Sequence, residues 1–270
     1  MNFSEKLRSA QRTNNSYLCV GLDPDPELMA HPHVPSFLQE IVDATSDLVC
    51  AYKPNLAFFE AMGLEGMQTM LESLRSVPKH IPIIADAKRG DIGNTARFYA
   101  KAIFGVYKFD AVTVNPYGGW DAVEPFVAYE DRGVLVWCRS SNAGAAELQD
   151  LALADGRVLW EAVAEKARSW NSNGNIGLVM GATWPEQIER VREICPTMPL
   201  LVPGVGAQAG ELEAAVQAAA DSDGGGFLIN ASRSVLYVSR RDDYTKAARK
   251  AAQKLRGRIN LMREAVLARS

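Results

Sequence analysis

Eight short apolar runs alternate with helix-length segments along the chain, and this alternation limits the possible fold more than any other feature. Most runs begin with apolar residues, as buried strands do, and end in polar residues or glycine. The segments between them carry apolar residues at helical spacing, with charged residues in between. Such a pattern predicts an α/β fold with a parallel sheet. The runs are residues 17–23, 49–55, 81–88, 111–117, 133–140, 175–183, 200–206 and 226–232.

Two architectures fit this pattern, a closed barrel and an open doubly wound sheet. An open sheet of the dinucleotide-binding type has a GxGxxG turn after its first strand, whereas the first run here ends in Gly-Leu-Asp-Pro at 21–24. A length of 270 residues is usual for a barrel of one domain. We therefore predict an α/β fold in which residues 1–270 form a single-domain (β/α)8 TIM barrel. We expect the N-terminal helix near its bottom and a basic outer helix at the end of the chain.

Composition excludes several other classes of protein. A net charge of −3 and a hydrophobic content of 47% describe an ordinary globular protein and argue against nucleic-acid binding. The N-terminus is polar, and no apolar run approaches the length that spans a bilayer, so we expect no membrane association and a cytoplasmic location.

Residues that often bind metals or form disulfides are interpreted here as structural. His31 and His33 have no carboxylate or cysteine partner at ligand spacing, so we predict no metal site. Trp137 and Trp160 are interpreted as packing residues rather than as part of a ligand site. The four scattered cysteines are expected to be reduced: Cys19, Cys50, Cys138 and Cys195.

Polar residues at the carboxyl ends of the runs predict one shared pocket. In a barrel these ends open on the face where active sites are built. The residues concerned come from the first five runs and the last, or directly follow them. They are Asp23, Lys53, Asp86, Lys88, Asn115, Arg139, Ser141 and Arg233.

The third run ends in closely spaced charges and is the most informative of the eight. Asp86 and Lys88 are two residues apart, so both should follow Ile84 on the inward row of the strand. Lys53 ends the preceding strand and becomes their neighbour if consecutive strands pair. An isolated Asp-x-Lys is most often a structural ion pair. Several charges at the end of an apolar strand are costly to bury, however, and proteins accept this mainly at functional sites.

A central motif and six shorter motifs occur in one order along nearly the whole chain. The central one is Asp86-x-Lys88-x-x-Asp91-Ile92 followed by Asn94-Thr95. The others are Gly21-Leu22-Asp23, Lys53-Pro54-Asn55, Phe58-Phe59-Glu60, Ser141-Asn142-x-Gly144, Pro203-Gly204-Val205-Gly206 with Gln208, and Asn230-x-Ser232-Arg233. Together they resemble the orotidine 5'-monophosphate decarboxylase family. The residues around Ser141 and the insert 145–157 are similar to its mainly bacterial subgroup.

The resemblance implies an enzyme that removes CO2 from orotidylate and makes UMP without a metal or other cofactor. It implies Lys88 as the proton donor to C6 and Asp86 as the neighbour of the substrate carboxylate, with Lys53 and Asp91 keeping Lys88 charged and aimed. It also implies a homodimer with shared active sites. Lys53, Asp86 and Lys88 would come from one subunit, and the partner would supply Asp91, Ile92 and Thr95.

The remaining expected roles concern substrate binding. Arg233 follows the eighth strand, and the glycine-rich turn follows the seventh, which is where barrels usually bind phosphate. The resemblance implies Gln208 as a further phosphate donor, Ser141 at the pyrimidine edge, and Asp23 with Lys53 at the ribose hydroxyls. The insert 145–157 is either a lid or an inert surface loop.

Two other functions stay open at this point. Mg-dependent sugar-phosphate decarboxylases and aldol-type synthases resemble this chain in their Asp-x-Lys-x-x-Asp motif, but residues 92–95, 53–55 and 141–142 suit a nucleotide better. A non-catalytic nucleotide-binding barrel would keep Arg233 and lose part of the charged cluster. Here all four charged residues of the cluster are present: Lys53, Asp86, Lys88 and Asp91.

Overall fold

The computed structural model describes residues 1–204 and 211–268, and in these residues eight parallel strands form one sheet. The neighbour order is β2-β1-β8-β7-β6-β5-β4-β3, and parallel bridges pair Tyr52 with Ile83 and Asn55 with Asp86 across its two ends. The sheet therefore closes into a barrel, and the predicted (β/α)8 fold class is confirmed. The strands are β1 (Leu18–Leu22), β2 (Ala51–Pro54), β3 (Ile84–Arg89), β4 (Ala111–Val114), β5 (Gly133–Arg139), β6 (Ile176–Met180), β7 (Leu200–Pro203) and β8 (Phe227–Ala231).

Helices surround the barrel and connect its strands. Local sequence signals explain several of their ends: the Asn2 side chain accepts from the Glu5 N–H while the Glu5 carboxylate accepts from the Asn2 N–H, and Pro185 is the first residue of α9. The described α-helices are α1 (Phe3–Asn14), α2 (Val34–Thr45), α3 (Leu56–Glu60), α4 (Gly66–Ser73), α5 (Gly93–Ala100), α6 (Trp120–Val127), α7 (Ala146–Gln149), α8 (Leu159–Trp170), α9 (Pro185–Ile194), α10 (Glu211–Ala219), α11 (Arg233–Leu236) and α12 (Tyr244–Leu267).

Helix α1 closes the amino-terminal end of the barrel, as predicted. Phe3 and Leu7 are buried and pack on an inward-facing layer contributed by all eight strands. Gly133 permits this contact, because a Cβ atom there would lie 2.3 Å from the Phe3 ring. The layer is completed by Cys19, Ala51, Ile84, Ala111, Leu135, Val179, Leu201 and Leu228.

A larger apolar cluster fills the space between the barrel and its helices. Helix α12 buries Tyr244, Ala248, Ala252 and Ile259 on one side, and Tyr244 stacks on Phe37 of α2 at a centroid distance of 5.4 Å. The chain thus ends in a basic outer helix, as predicted. None of the described helices combines the length and the apolar character that crossing a membrane requires.

Candidate active site

A cavity of about 260 Å³ opens at the carboxyl ends of the barrel strands. Its lining combines apolar residues of β5, β6 and β7 with charged and polar residues. This is the end of the barrel at which the sequence predicted a shared pocket. The lining residues are Lys53, Asp86, Lys88, Thr113, Trp137, Arg139, Ser140, Ser141, Asn142, Val179, Leu201 and Pro203.

Lys53, Asp86 and Lys88 meet in this cavity, as the strand order and the two-residue spacing predicted. The Lys53 ammonium donates to Oδ2 of Asp86 at 2.6 Å, and the Lys88 ammonium donates to Oδ1 at 2.7 Å. The Lys53 and Asp86 side chains are only 4% and 10% exposed, whereas that of Lys88 is 36% exposed. The arrangement is one carboxylate held between two ammonium groups, of which Lys88 is open to the cavity.

The charges of this cluster sustain one another. Burial favours the neutral form of Asp86, but the ammonium groups of Lys53 and Lys88 outweigh it and hold the pKa of this carboxyl well below its usual range. Burial likewise disfavours the charged form of Lys53, yet the carboxylates of Asp86 and Asp23 raise the pKa of Lys53 above its ordinary value. Asp86 and Lys53 are therefore both ionised at neutral pH.

An irregularity between β3 and β4 sets the direction of Lys88. Ala85 pairs with Val112 and Arg89 pairs with Val114, so three residues of β3 face the single residue Thr113. Lys88 has a positive φ of 43°, a left-handed backbone conformation that residues other than glycine rarely adopt. Thr113 was absent from the sequence predictions, although it lies on the inward row of β4 at the spacing used for Asp86 and Lys88.

The loop after β1 and the segment after β8 are tied together at the rim of the barrel. Oδ1 of Asp23 accepts from the Asn55 N–H at 3.1 Å, and the Tyr237 hydroxyl donates to the Asp23 carbonyl at 2.6 Å. Arg233 begins α11 in the same region, and its exposed side chain forms no ion pair within residues 1–204 and 211–268. Two predicted binding residues thus share this rim without lining the cavity.

Ser141 lines the cavity, as expected of a residue that contacts substrate. Gly204 approaches it closely: its φ is +97°, and a Cβ atom there would lie 3.3 Å from the Ser141 side chain. Glycine at 204 therefore lets the backbone directly after β7 come near the loop after β5. Gln208, the predicted phosphate donor, lies outside the described residues.

Arg139 anchors the start of the insert, a role that the sequence did not reveal. Its side chain is fully buried and donates to Gln149 at 3.0 Å, to Asp150 at 3.0 Å and to Gln187 at 2.7 Å. The Gln149 side chain also accepts from the N–H of Ser140 at 2.9 Å. The insert is therefore joined by hydrogen bonds to the backbone that carries the cavity-lining serines.

Trp137 was interpreted from the sequence as a packing residue, but the structure places it at the cavity. It lies on the inward row of β5 and forms part of the cavity wall. The Lys88 ammonium is 5.8 Å from the centroid of its ring, within the range of a cation–π interaction. The aromatic face thus borders the group predicted to donate the proton.

Asp91, Ile92 and Thr95 do not join the cluster within this chain. All three are exposed and absent from the cavity lining, and within residues 1–204 and 211–268 Asp91 accepts only a local bond from the Ile92 N–H at 2.7 Å. Among the described residues, no group of three or more His, Cys, Asp or Glu side chains is arranged to hold a metal ion.

A closed barrel with a partly buried Lys-Asp-Lys cluster at its carboxyl end is typical of a barrel enzyme that acts through fixed charges. A family model described as the Orotidine 5'-phosphate decarboxylase / HUMPS family matches residues 16–251. The chain belongs to this family, as its motifs predicted.

Individual relatives support the same assignment along nearly the whole chain. Orotidine 5'-phosphate decarboxylase of Cellvibrio japonicus is 51% identical over 273 residues, covering 97% of this chain and 100% of the relative. The enzyme of the same name from Ralstonia pickettii is 49% identical over 271 residues, covering 97% and 100%. The solved Leishmania donovani OMP decarboxylase has a TM-score of 0.88 at 43% identity and covers 98% and 100%. A putative orotidine-monophosphate decarboxylase from Toxoplasma gondii has a TM-score of 0.92 at 35% identity and covers 99% and 98%.

Proposed function

We propose that this chain converts orotidine 5'-phosphate to UMP and CO2 in pyrimidine biosynthesis, using the whole chain as one catalytic domain, without a metal or organic cofactor. The observation that carries the proposal is the Lys53-Asp86-Lys88 cluster, in which Lys53 and Asp86 are buried and Lys88 faces an open cavity. The names of relatives about 50% identical over nearly the full chain support the same reaction. The absence of a membrane-spanning helix among the described residues is compatible with the cytoplasmic location that we propose.

The reaction calls for a fixed positive charge beside C6. When the bond between C6 and the carboxylate breaks, the electron pair stays on C6 in the plane of the pyrimidine ring, where the ring π-system cannot delocalise it. An ammonium group beside C6 stabilises this pair and can transfer a proton to it. We assign that group to Lys88, because its ammonium faces the cavity and is held at 2.7 Å from Asp86. Lys88 then regains its proton from solvent.

Asp86 supplies the opposing charge. Since its two lysine partners keep it ionised, its carboxylate would stand beside the carboxylate of the bound substrate and repel it. That repulsion falls as neutral CO2 departs, so it favours the transition state over the bound ground state. Lys53 offsets part of the charge of Asp86 and, with Asp91, keeps Lys88 protonated and aimed at C6.

The phosphate and ribose would be bound at the rim. Arg233 suits the phosphate because its guanidinium is exposed and unpaired within the described part of the chain, and Gln208 would add a second donor. Asp23 suits the ribose hydroxyls together with Lys53. Ser141 would bind the pyrimidine edge, since it lines the cavity. Binding energy from the distant phosphate can then hold the reacting ring in place.

We also propose a homodimer in which each subunit completes the active site of the other. Ile92, the residue directly before α5, is 60% exposed. Thr95 and Tyr99 are four residues apart in α5 and so lie on one side of it, and Tyr99 is 37% exposed. Exposed apolar side chains next to the Asp91 carboxylate suit a subunit interface across which Asp91 enters the cavity of the partner. A two-fold axis would supply both sites equally.

Mixing two inactive variants tests this sharing. Subunits carrying Lys88→Ala and Asp91→Asn, combined by co-expression in equal amounts, form hybrid dimers in which one of the two sites is native. Random pairing should restore about one quarter of the wild-type activity. A mixture no more active than either variant alone would contradict the shared site.

The reaction itself is tested by its product. Orotidine 5'-phosphate incubated with the enzyme should yield UMP in chromatography, with equal rates in EDTA and in added Mg²⁺. The description of the matching family also includes the term HUMPS. A Mg²⁺-dependent reaction on a sugar phosphate would favour the alternative function, that of the Mg-dependent sugar-phosphate decarboxylases and aldol-type synthases. Both oxygens of Asp86 are already paired with ammonium groups, which supports the metal-free reaction.

A further inference from the structure

Thr113 uses every hydrogen-bonding site of its hydroxyl at the catalytic cluster. The hydroxyl donates to Oδ1 of Asp86 at 2.9 Å and accepts from the N–H groups of Ala87 and Lys88, each at 3.0 Å. A hydroxyl has one hydrogen to donate and two lone pairs, so all three are occupied. The residue is 1% exposed, and no water can replace these bonds without a change in packing.

These bonds replace a missing part of the ladder between β3 and β4. Because three residues of β3 face Thr113 alone, the backbone of β4 cannot pair with each of them. The hydroxyl accepts the two backbone hydrogens that this mismatch leaves over. A buried N–H without a partner is unfavourable, so the side chain stabilises the irregular segment directly.

The irregular segment carries the proton donor. Lys88 adopts its left-handed conformation at φ 43°, and such a conformation is unfavourable for a residue with a side chain. The surroundings must therefore hold it, and the Thr113 hydroxyl is the polar group that bonds to its N–H. The same oxygen fixes Asp86, the ion-pair partner of the Lys88 ammonium.

We propose that Thr113 is a positioning residue that sets the place of the Lys88 ammonium and the Asp86 carboxylate against the substrate, a role that rests on the proposed decarboxylation. It acts through Lys88 and Asp86 rather than by its own chemistry. A side chain of the same shape without the hydroxyl should let the Lys88 backbone relax and move its ammonium. A smaller side chain that keeps the hydroxyl should preserve both the conformation of the Lys88 backbone and the position of its ammonium.

Thr113→Val and Thr113→Ser make this comparison. The valine variant should lose about 10- to 100-fold in kcat, as misplacement of a reacting group by about 1 Å does, with KM changed by less than about threefold. The serine variant should recover kcat to within about fivefold of wild type, because it restores all three hydrogen bonds. Decarboxylation is followed by orotidylate absorbance, and the fraction folded by circular dichroism.

A buried threonine elsewhere provides the matched control. Thr45 of α2 is fully buried, and its hydroxyl bonds to the Ile41 carbonyl at 2.7 Å and to the Tyr52 hydroxyl at 2.8 Å. Thr45→Val removes a hydroxyl of equal burial and should leave kcat within about twofold of wild type while lowering the thermal midpoint. A Thr113→Val variant that behaves like this control would overturn the proposal, as would a serine variant no better than the valine variant.

Crystal structures of the two Thr113 variants separate this proposal from the proposed reaction. In Thr113→Val the Lys88 backbone should leave the positive-φ region, whereas in Thr113→Ser it should keep it. If the wild type fails to decarboxylate orotidylate, the proposed function falls, and these structures still decide whether Thr113 positions Lys88. An unchanged Lys88 in the valine variant would refute the positioning role in either case.

Discussion

Replacing Asp86 with asparagine should destabilise the protein more than replacing its buried partner Lys53. The Lys53 ammonium lies 2.6 Å from Asp86 with 4% of its side chain exposed. At an effective dielectric constant near 20, a pair at this distance attracts by about 6 kcal/mol, much of which the desolvation of both charges offsets. Asparagine leaves Lys53 buried without that carboxylate, so we expect the free energy of unfolding to fall by about 3–5 kcal/mol.

Lys53→Met provides the contrast. It removes the most deeply buried charge of the cluster and leaves Asp86 bonded to Lys88 at 2.7 Å and to Thr113 at 2.9 Å. The remaining pair is neutral overall, so the expected loss is only about 1 kcal/mol.

Urea unfolding followed by tryptophan fluorescence at pH 7 measures both variants, at one protein concentration because assembly affects apparent stability. Asp47→Asn is the matched control. Its carboxylate pairs with Arg249 at 2.7 Å, but the side chain is 59% exposed, so the expected loss is below about 1 kcal/mol. An Asp86→Asn variant as stable as wild type, or a Lys53→Met variant less stable than Asp86→Asn, would contradict this electrostatic explanation.

Three further predictions concern pH, substrate binding and packing. Folding lowers the pKa of Asp86. Its contribution to the free energy of unfolding is therefore fully present above the unfolded-state pKa of about 4, and it is lost as the pH falls from there through the folded-state pKa. The stability gap between wild type and Asp86→Asn in urea titrations should therefore stay constant from pH 7 to about pH 4 and narrow only below; an earlier narrowing would contradict this. Arg233→Ala should raise KM for orotidylate by about 10- to 100-fold in steady-state assays, and an unchanged KM would remove Arg233 from the phosphate site. Gly21→Ala places a Cβ atom 1.9 Å from the Ser232 hydroxyl and should cost about 1–3 kcal/mol in urea unfolding, while the control Gly257→Ala, with nothing within 4 Å, should cost nothing.

Strand periodicity predicted much of the site, because it depends on residue spacing alone. Asp86 follows Ile84 inward as a two-residue period requires, and Lys53 joins it because β2 and β3 are neighbours in the closed barrel. Lys88 also meets Asp86, as predicted, although the irregularity after Ala85 sets its direction. The alternation of strands and helices likewise predicted the barrel. These features follow from local sequence and from the common rules of α/β folds.

Features that depend on register could not be predicted in the same way. The shift between Ala85 and Arg89 brings Thr113 opposite three residues, and no single segment of sequence contains that information. The partners of Arg139 could not be predicted either, because they lie in separate segments of the chain: Gln149 belongs to the insert and Gln187 to α9. The role of Asp91 depends on a second subunit and stays a prediction.

The decay of orotidylate absorbance in excess EDTA, measured for wild type beside Lys88→Ala, tests the central claim most directly. We expect rapid decay with wild type alone, because we propose that Lys88 stabilises and protonates C6 and that no metal takes part. Decay that requires Mg²⁺, or a Lys88→Ala variant as fast as wild type, would contradict it.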